Sequence, residues 1–176
     1  EYVNGLYQGM QDICSTFEVN ILGGDTTASK QDLIINVCLT GEVAPEEILL
    51  RDGARPGDVL CTTGWLGDSR AGLHLITNHV SRSTQELEAL YQAHIDPRPC
   101  LREGRFLAAS GAVTAAMDIS DGLSSDLPHI SAASTVGARI QASSLPISPA
   151  LDAFCTQLES DPQEWALAGG EDYTLL

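Results

Sequence analysis

At 176 residues, 43% hydrophobic and 19% charged, the chain is long enough for one full core, or for one core and part of another. A formal net charge of −15, with Lys30 the one lysine beside 24 acidic residues, argues against a protein that grips nucleic acid or an anionic membrane through a basic face. Phosphate ligands stay open, because divalent cations can stand between carboxylates and phosphate oxygens.

No run of about 18 apolar residues is present for a membrane span. The start, Glu1-Tyr2-Val3-Asn4-Gly5, has neither the basic end nor the apolar centre of a signal peptide, so the expected compartment is the cytoplasm. Cys14, Cys38, Cys61, Cys100 and Cys155 are odd in number, widely spaced and mostly inside apolar runs, and they read as reduced core residues.

From Tyr2 to Phe17 apolar residues recur at three- and four-residue steps (Val3, Leu6, Tyr7, Met10, Ile13, Cys14, Phe17), which predicts an amphipathic helix. Tyr7 belongs to that stripe, as a core tyrosine or as one that contacts a base. No capping residue precedes the helix, so residue 1 reads as a cut end of a larger protein. Val19–Leu22 reads as a short strand that stops at Gly23-Gly24-Asp25-Thr26-Thr27, where two glycines let the backbone approach a ligand and a carboxylate and two hydroxyls follow. Asp32 to Val43 reads as a second strand, apolar enough to be covered on both faces for part of its length.

Ala44-Pro45-Glu46-Glu47 turns polar and rigid, and a domain boundary is expected there. The turn-rich stretch Arg51–Asp58 leads into a strand at Val59–Thr63, and Gly64–Ser69 opens a helix to about Asn78. Ser83-Thr84-Gln85-Glu86 has capping-box spacing and starts a helix to about His94. Asp96-Pro97-Arg98-Pro99 breaks the chain before another helix, Leu101 to Ala109.

The chain is organised around Ala115-Ala116-Met117-Asp118-Ile119-Ser120-Asp121-Gly122-Leu123-Ser124-Ser125-Asp126-Leu127, in which a small apolar strand runs into a polar turn and then a helix. Asp118 falls at the strand end. Ser120 and Asp121 fall at helix-cap positions, and Gly122 relaxes the turn so that backbone N–H groups can face a ligand. Two carboxylates and a hydroxyl at this spacing suit Mg²⁺ and phosphate, while the simpler alternative is that Ser120 and Asp121 only cap the helix. Asp126, one turn further on, reads as solvated. Pro128 is expected to kink or end that helix. Ala138–Ala142 reads as a strand, Pro149–Leu158 and Pro162–Ala168 as short helices. The closing Ala168-Gly169-Gly170-Glu171-Asp172-Tyr173-Thr174-Leu175-Leu176 stops inside an apparent strand, a second cut end.

The phosphate-loop, dinucleotide and nucleophile-elbow patterns are absent, as is zinc-type Cys/His spacing. The four histidines read as structural or solvated. Three acidic turns at strand ends remain: Asp25, Asp118 to Asp121, and Glu171-Asp172. Carboxylates converging on glycine-relaxed turns are what a metal–polyphosphate site requires.

In order and spacing these three motifs resemble the thiamine-monophosphate kinase family, within the aminoimidazole-ribonucleotide-synthetase-like (AIR-synthetase-like) ATP-binding proteins. The resemblance implies an α+β (mixed α/β), AIR-synthetase-like two-domain fold. Residues 1–44 would be the end of the N-terminal ATP-binding domain and 45–176 an incomplete C-terminal domain. It also implies transfer of the ATP γ-phosphoryl group to thiamine phosphate, giving thiamine diphosphate, with several Mg²⁺ ions and no phosphoenzyme. Position by position, Asp25, Asp118 and Asp121 resemble metal ligands. Gly24, Ser120, Arg51 and Tyr7 resemble nucleotide contacts, and Glu171 the residue that meets the thiamine end of the acceptor. Family members pair as homodimers through strands of the N-terminal domain, and the family has about twice this length. The segment Asp96–Cys100 departs from a more arginine-rich family version. The alternatives are an AIR-synthetase-like enzyme with another acceptor, selenophosphate-synthetase-like or hydrogenase-maturation-like, and a non-catalytic nucleotide-binding or dimerisation module.

Overall fold

The apolar stripe at the N-terminus forms helix α1, Tyr2–Thr16, in a computed structural model that describes residues 2–176. The chain divides into two units, Glu1–Gly41 and Glu42–Leu176.

In the first unit, α1 stops where Glu18 takes a left-handed conformation, φ 56°. The Val19 N–H then folds back onto the Cys14 carbonyl at 2.9 Å, satisfying one of the acceptors a helix end leaves open. Residues 19–41 run without a ladder among the described residues, so the strands expected at Val19–Leu22 and Asp32–Val43 are not formed. A strand is defined by a partner that takes its N–H and C=O groups, and none is supplied here. Nor is the second segment covered on both faces: Leu33 is 63% exposed and Ile34 and Leu39 are 80% exposed.

The second unit is held by helices. They are α2 (Asp68–Thr77), α3 (Gln85–Ile95), α4 (Leu101–Ser110), α5 (Leu123–Ser134), α6 (Pro149–Gln157) and α7 (Pro162–Ala168). The cap of α3 is Thr84 and not Ser83, its hydroxyl accepting the Leu87 N–H at 3.3 Å. Ala71, Leu75, Leu90, Leu151, Phe154, Cys155 and Trp165 form one core cluster, from α2, α3, α6 and α7. Gly72 makes the close approach of α2 to α3 possible, since a Cβ there would lie 2.3 Å from the Leu90 carbonyl oxygen. His74 is structural, its ring centroid 5.7 Å from Phe154 and 5.5 Å from Trp165. A second cluster, Leu66, Ile119, Leu123, Leu127 and Ala166, lies under α5. At about 2 kcal/mol per buried side chain, these clusters hold the helices around the segment that carries the acidic turn.

Of the two outcomes expected at Pro128, a kink or an end, helix α5 does not end: it runs through the proline. The proline removes only the N–H that would reach the Ser124 carbonyl, and Ser124 is exposed, so water can take that acceptor. The strands expected at 115–118 and at the C-terminus reduce to one antiparallel bridge, Asp118 with Leu175. Thr63 joins its edge by donating its N–H to the Leu175 carbonyl at 3.0 Å, and Ala116 donates to the Leu50 carbonyl at 2.8 Å. Four short extended pieces thus lie side by side. Each is too briefly paired to be a strand. Val59–Thr63 makes no further ladder, and Ala138–Ala142 makes none before a single 3-10 turn, Ala142–Ser144.

All five cysteines are free, but only Cys155 is a core residue, its thiol pushed up to about 11 chiefly by burial. Cys14 and Cys100 are half-buried and Cys38 and Cys61 exposed, so the expectation of a common core placement fails for four of them. Apolar neighbours in sequence bury a cysteine only where the segment itself is packed. Among the described residues no helix is long and apolar enough to cross a membrane.

Candidate functional site

Extended backbone alternates its side chains, and from Met117 to Ile119 that alternation sorts the chemistry. Met117 and Ile119 are buried while Asp118 between them is exposed. The Met117 and Ile119 N–H groups donate to the carbonyls of Leu176 and Thr174 at 3.0 and 2.8 Å. Asp118 is therefore carried on a pinned stretch and aimed outward.

The turn that follows is built around Asp126, which is 2% exposed. One of its carboxylate oxygens, Oδ2, accepts the N–H groups of Ser120 and Asp121 at 2.9 Å and of Gly122 at 3.1 Å. Asp126 is thus not solvated. The buried charge is balanced by backbone donors, since these bonds are charge-assisted. It follows that the N–H groups of the turn do not face a ligand. Nor do Ser120 and Asp121 cap α5, whose cap residue is Gly122 with no side-chain cap bond. What the turn presents outward is Asp118 and Asp121, both exposed, with Ser120 half-buried beside them.

The second glycine motif packs against this turn. At Gly122, φ is 106° and a Cβ would lie 2.9 Å from the Gly169 carbonyl oxygen; a Cβ on Gly170 would lie 2.7 Å from that of Ser120. That contact brings the Glu171 N–H to the Ser120 carbonyl at 2.8 Å and the Tyr173 N–H to the Ile119 carbonyl at 2.9 Å. Glu171 and Tyr173 both sit in the left-handed region, φ 67° and 51°, a cost on the order of 1 kcal/mol or more for each. Asp172 between them points away, its carboxylate oxygens accepting the N–H groups of Gly67 at 2.8 Å and Ser69 at 3.3 Å at the start of α2. Burial pushes Asp172 up to about 6, against the pull of those two N–H groups, with the nearby Asp68 adding to the rise. Asp172 is a helix cap, not a ligand. The phenol of Tyr173 is raised too, first by loss of water, then by the charge of and hydrogen bond with Glu171, then by Asp118 and Asp121. Asp118, Asp121 and Glu171 therefore share one negative field.

Arg51 and Asp118 line one open cleft of about 580 Å³, with Leu50, Met117 and Ala133 as apolar wall. In the first unit Tyr7, Gly24, Asp25 and Thr26 gather: the Tyr7 and Thr26 hydroxyls are 3.4 Å apart, and a Cβ on Gly24 would lie 3.7 Å from the Tyr7 oxygen. Asp25 Oδ1 accepts the Thr26 N–H at 2.8 Å. Among the described residues no three His, Cys, Asp or Glu side chains could by themselves hold a metal ion.

Sequence reasoning missed Asp126 and Asp172 as structural carboxylates. For Asp126 the available signal was position, since an acid in the first turn of a helix stands beside unsatisfied N–H groups; Asp172 had no local signal, its partners lying more than a hundred residues away.

The chain matches the family model for the AIR synthase related protein, C-terminal domain, over residues 55–168, and that for the N-terminal domain over residues 1–43. It is 34% identical over 175 residues to the thiamine-monophosphate kinase of Bacillus subtilis (strain 168), covering 98% of this chain and 52% of that one. It is 38% identical over 175 residues to the thiamine-monophosphate kinase of Aquifex aeolicus (strain VF5), covering 99% and 56%. A solved structure described as AaThiL complexed with AMPPCP and TMP matches with a TM-score of 0.84 and 32% identity, over 99% of this chain and 55% of that one. The fold is thus AIR-synthase-like, and the chain spans about half the length of the curated relatives it matches.

Proposed function

The chain belongs to the AIR synthase related proteins, and from that premise we propose that it serves an ATP-dependent kinase that converts thiamine phosphate to thiamine diphosphate. The observation that carries this reading is the state of the acidic turn. Its three N–H groups are spent on Asp126, so it meets a ligand with the carboxylates of Asp118 and Asp121 and with no backbone donors. Such a surface repels bare phosphate. It holds a polyphosphate only through divalent cations, and one or two carboxylates per ion is the share that Mg²⁺ takes from protein in phosphoryl-transfer sites. The likeness to a protein complexed with AMPPCP and TMP supports the same substrate pair.

In this reading Asp118, Asp121 and Asp25 would hold Mg²⁺, whose chemistry there would be neutralisation of charge on the transferring phosphoryl group. Arg51 meets the polyphosphate from the other side of the cleft, and Ser120, Gly24 and Tyr7 contact the nucleotide. Glu171, held against Ser120, turns its charge toward the cationic thiazolium of the acceptor. Positioning and charge stabilisation carry the transfer directly from ATP to acceptor, without a phosphoenzyme. Homodimerisation through the N-terminal domain belongs to the same proposal, and the exposed apolar residues Leu22, Ile34 and Leu39 support it.

The test is made on the full-length gene product. With ATP and Mg²⁺ it is expected to turn thiamine phosphate into thiamine diphosphate. Glu171→Gln should raise the KM for thiamine phosphate, leave that for ATP nearly unchanged, and cost on the order of 1–3 kcal/mol in kcat/KM. No thiamine diphosphate, or a Glu171 effect confined to ATP, contradicts the assignment.

A further inference from the structure

Helix α5 meets the site at both of its ends. Its first turn carries Asp126, which holds the acidic turn, and its last residue, Ser134, reaches the loop that carries Arg51. The Ser134 hydroxyl accepts the N–H groups of Gly53 at 3.2 Å and Ala54 at 3.1 Å, and donates to the Arg51 carbonyl at 3.2 Å. One hydroxyl thus uses both lone pairs and its proton on a single short loop. The loop has little freedom to settle elsewhere: Gly53 sits at φ 125°, where a Cβ would lie 2.5 Å from the Thr114 carbonyl oxygen. The residue before Ser134, Ala133, forms part of the wall of the cleft that Arg51 and Asp118 line. Because α5 stays continuous across Pro128, positions 126 and 134 are held about 12 Å apart by a rise of 1.5 Å per residue.

We infer that Ser134 is a positioning residue for Arg51. With Asp126 fastening the carboxylate turn to one end of α5 and Ser134 fastening the arginine loop to the other, the helix fixes the span between the cationic and the anionic sides of the cleft. A polyphosphate with cations on its oxygens needs that span to be constant, because the guanidinium must reach oxygens that the Asp118 and Asp121 side leaves free. The inference rests on the nucleotide reading of Arg51 given above. A serine closing a helix carries no motif, and only the folded contact singles it out.

In the full-length gene product, Ser134→Ala should speed amide exchange at Gly53 and Ala54, while the amides of Ser120, Asp121 and Gly122, held by Asp126, keep their protection. It should raise the KM for ATP about three- to tenfold, with kcat and the KM for thiamine phosphate changed less than about twofold. Ser134→Thr, which keeps the hydroxyl, should return the KM for ATP toward its original value. Unchanged exchange at Gly53 and Ala54, or an equal rise in both KM values, overturns the inference. Arg51→Ala, measured in parallel, separates the two ways of failing. If it leaves the KM for ATP unchanged, the nucleotide reading of Arg51 falls and this inference with it. If it raises that KM and Ser134→Ala does not, the positioning role of Ser134 fails alone.

Discussion

Asp118 and Asp126 are the same residue type in the same motif, and the fold assigns them opposite work. Asp118 sits between two buried neighbours and spends its charge outward, while Asp126 is buried and spends its charge on three N–H groups. Their asparagine variants should differ accordingly. Asp118→Asn is expected to cut kcat of the full-length gene product strongly with its melting temperature almost unmoved, because an exposed carboxylate on a briefly paired extended stretch contributes to the fold very little. Asp126→Asn should lower stability by on the order of 2–3 kcal/mol, since an amide oxygen accepts the same N–H groups without the charge. Kinetics and melting curves on both variants check this; a large stability loss in Asp118→Asn would place that residue in the fold and not in the site. The outward-facing acids were legible in the sequence, because glycine-relaxed acidic turns announce themselves. The inward-facing acid was not. A carboxylate four positions into a pattern of small polar residues has the spelling of a solvated helix face until the turn before it is seen to fold back.

Elements show the same division between local and non-local information. Helices α1 to α7 follow from apolar spacing, caps and prolines, all written within a few residues of one another. The strands do not: at 19–22, 32–43 and 138–142 the composition is right for strand, but the hydrogen-bonding partner is a property of distant chain. Helix α2 adds a case of its own. Its N-terminal N–H groups are capped from Asp172, more than a hundred positions away, and no local pattern predicts that contact. The cap has a consequence for pH. Asp172 is raised from the ordinary aspartate value of 3.8 to about 6, chiefly by burial, and Asp68 at the start of α2 is raised as well by burial. Between pH 4 and pH 6 the folded chain therefore binds more protons at these positions than the unfolded chain, so stability falls as pH rises through that window. For Asp172 the loss is on the order of 3 kcal/mol. Asp172→Asn should flatten the decline in melting temperature between about pH 4 and pH 7. An identical slope in both proteins would show that the raised value of Asp172 is not linked to folding.

For the whole molecule, the net charge of −15 and the organisation of the acidic turn point the same way. A chain this acidic, whose Ser120–Gly122 turn spends its backbone N–H groups on Asp126, has little positive charge of its own to attract a polyphosphate. Cation dependence is thus the central claim, and it does not depend on which acceptor is phosphorylated. The composition left that possibility open, with divalent cations between carboxylates and phosphate oxygens, before the fold was seen. What the composition could not supply was the reason, namely that Asp126 takes away the anion-binding alternative. Titration calorimetry of the full-length gene product with ATP, in excess Mg²⁺ and again in EDTA, is the most direct measurement. A clear binding isotherm is expected with Mg²⁺, and binding at least about a hundredfold weaker in EDTA, the scale of one uncompensated charge contact in a partly dry site. Equal affinity under the two conditions would contradict cation dependence.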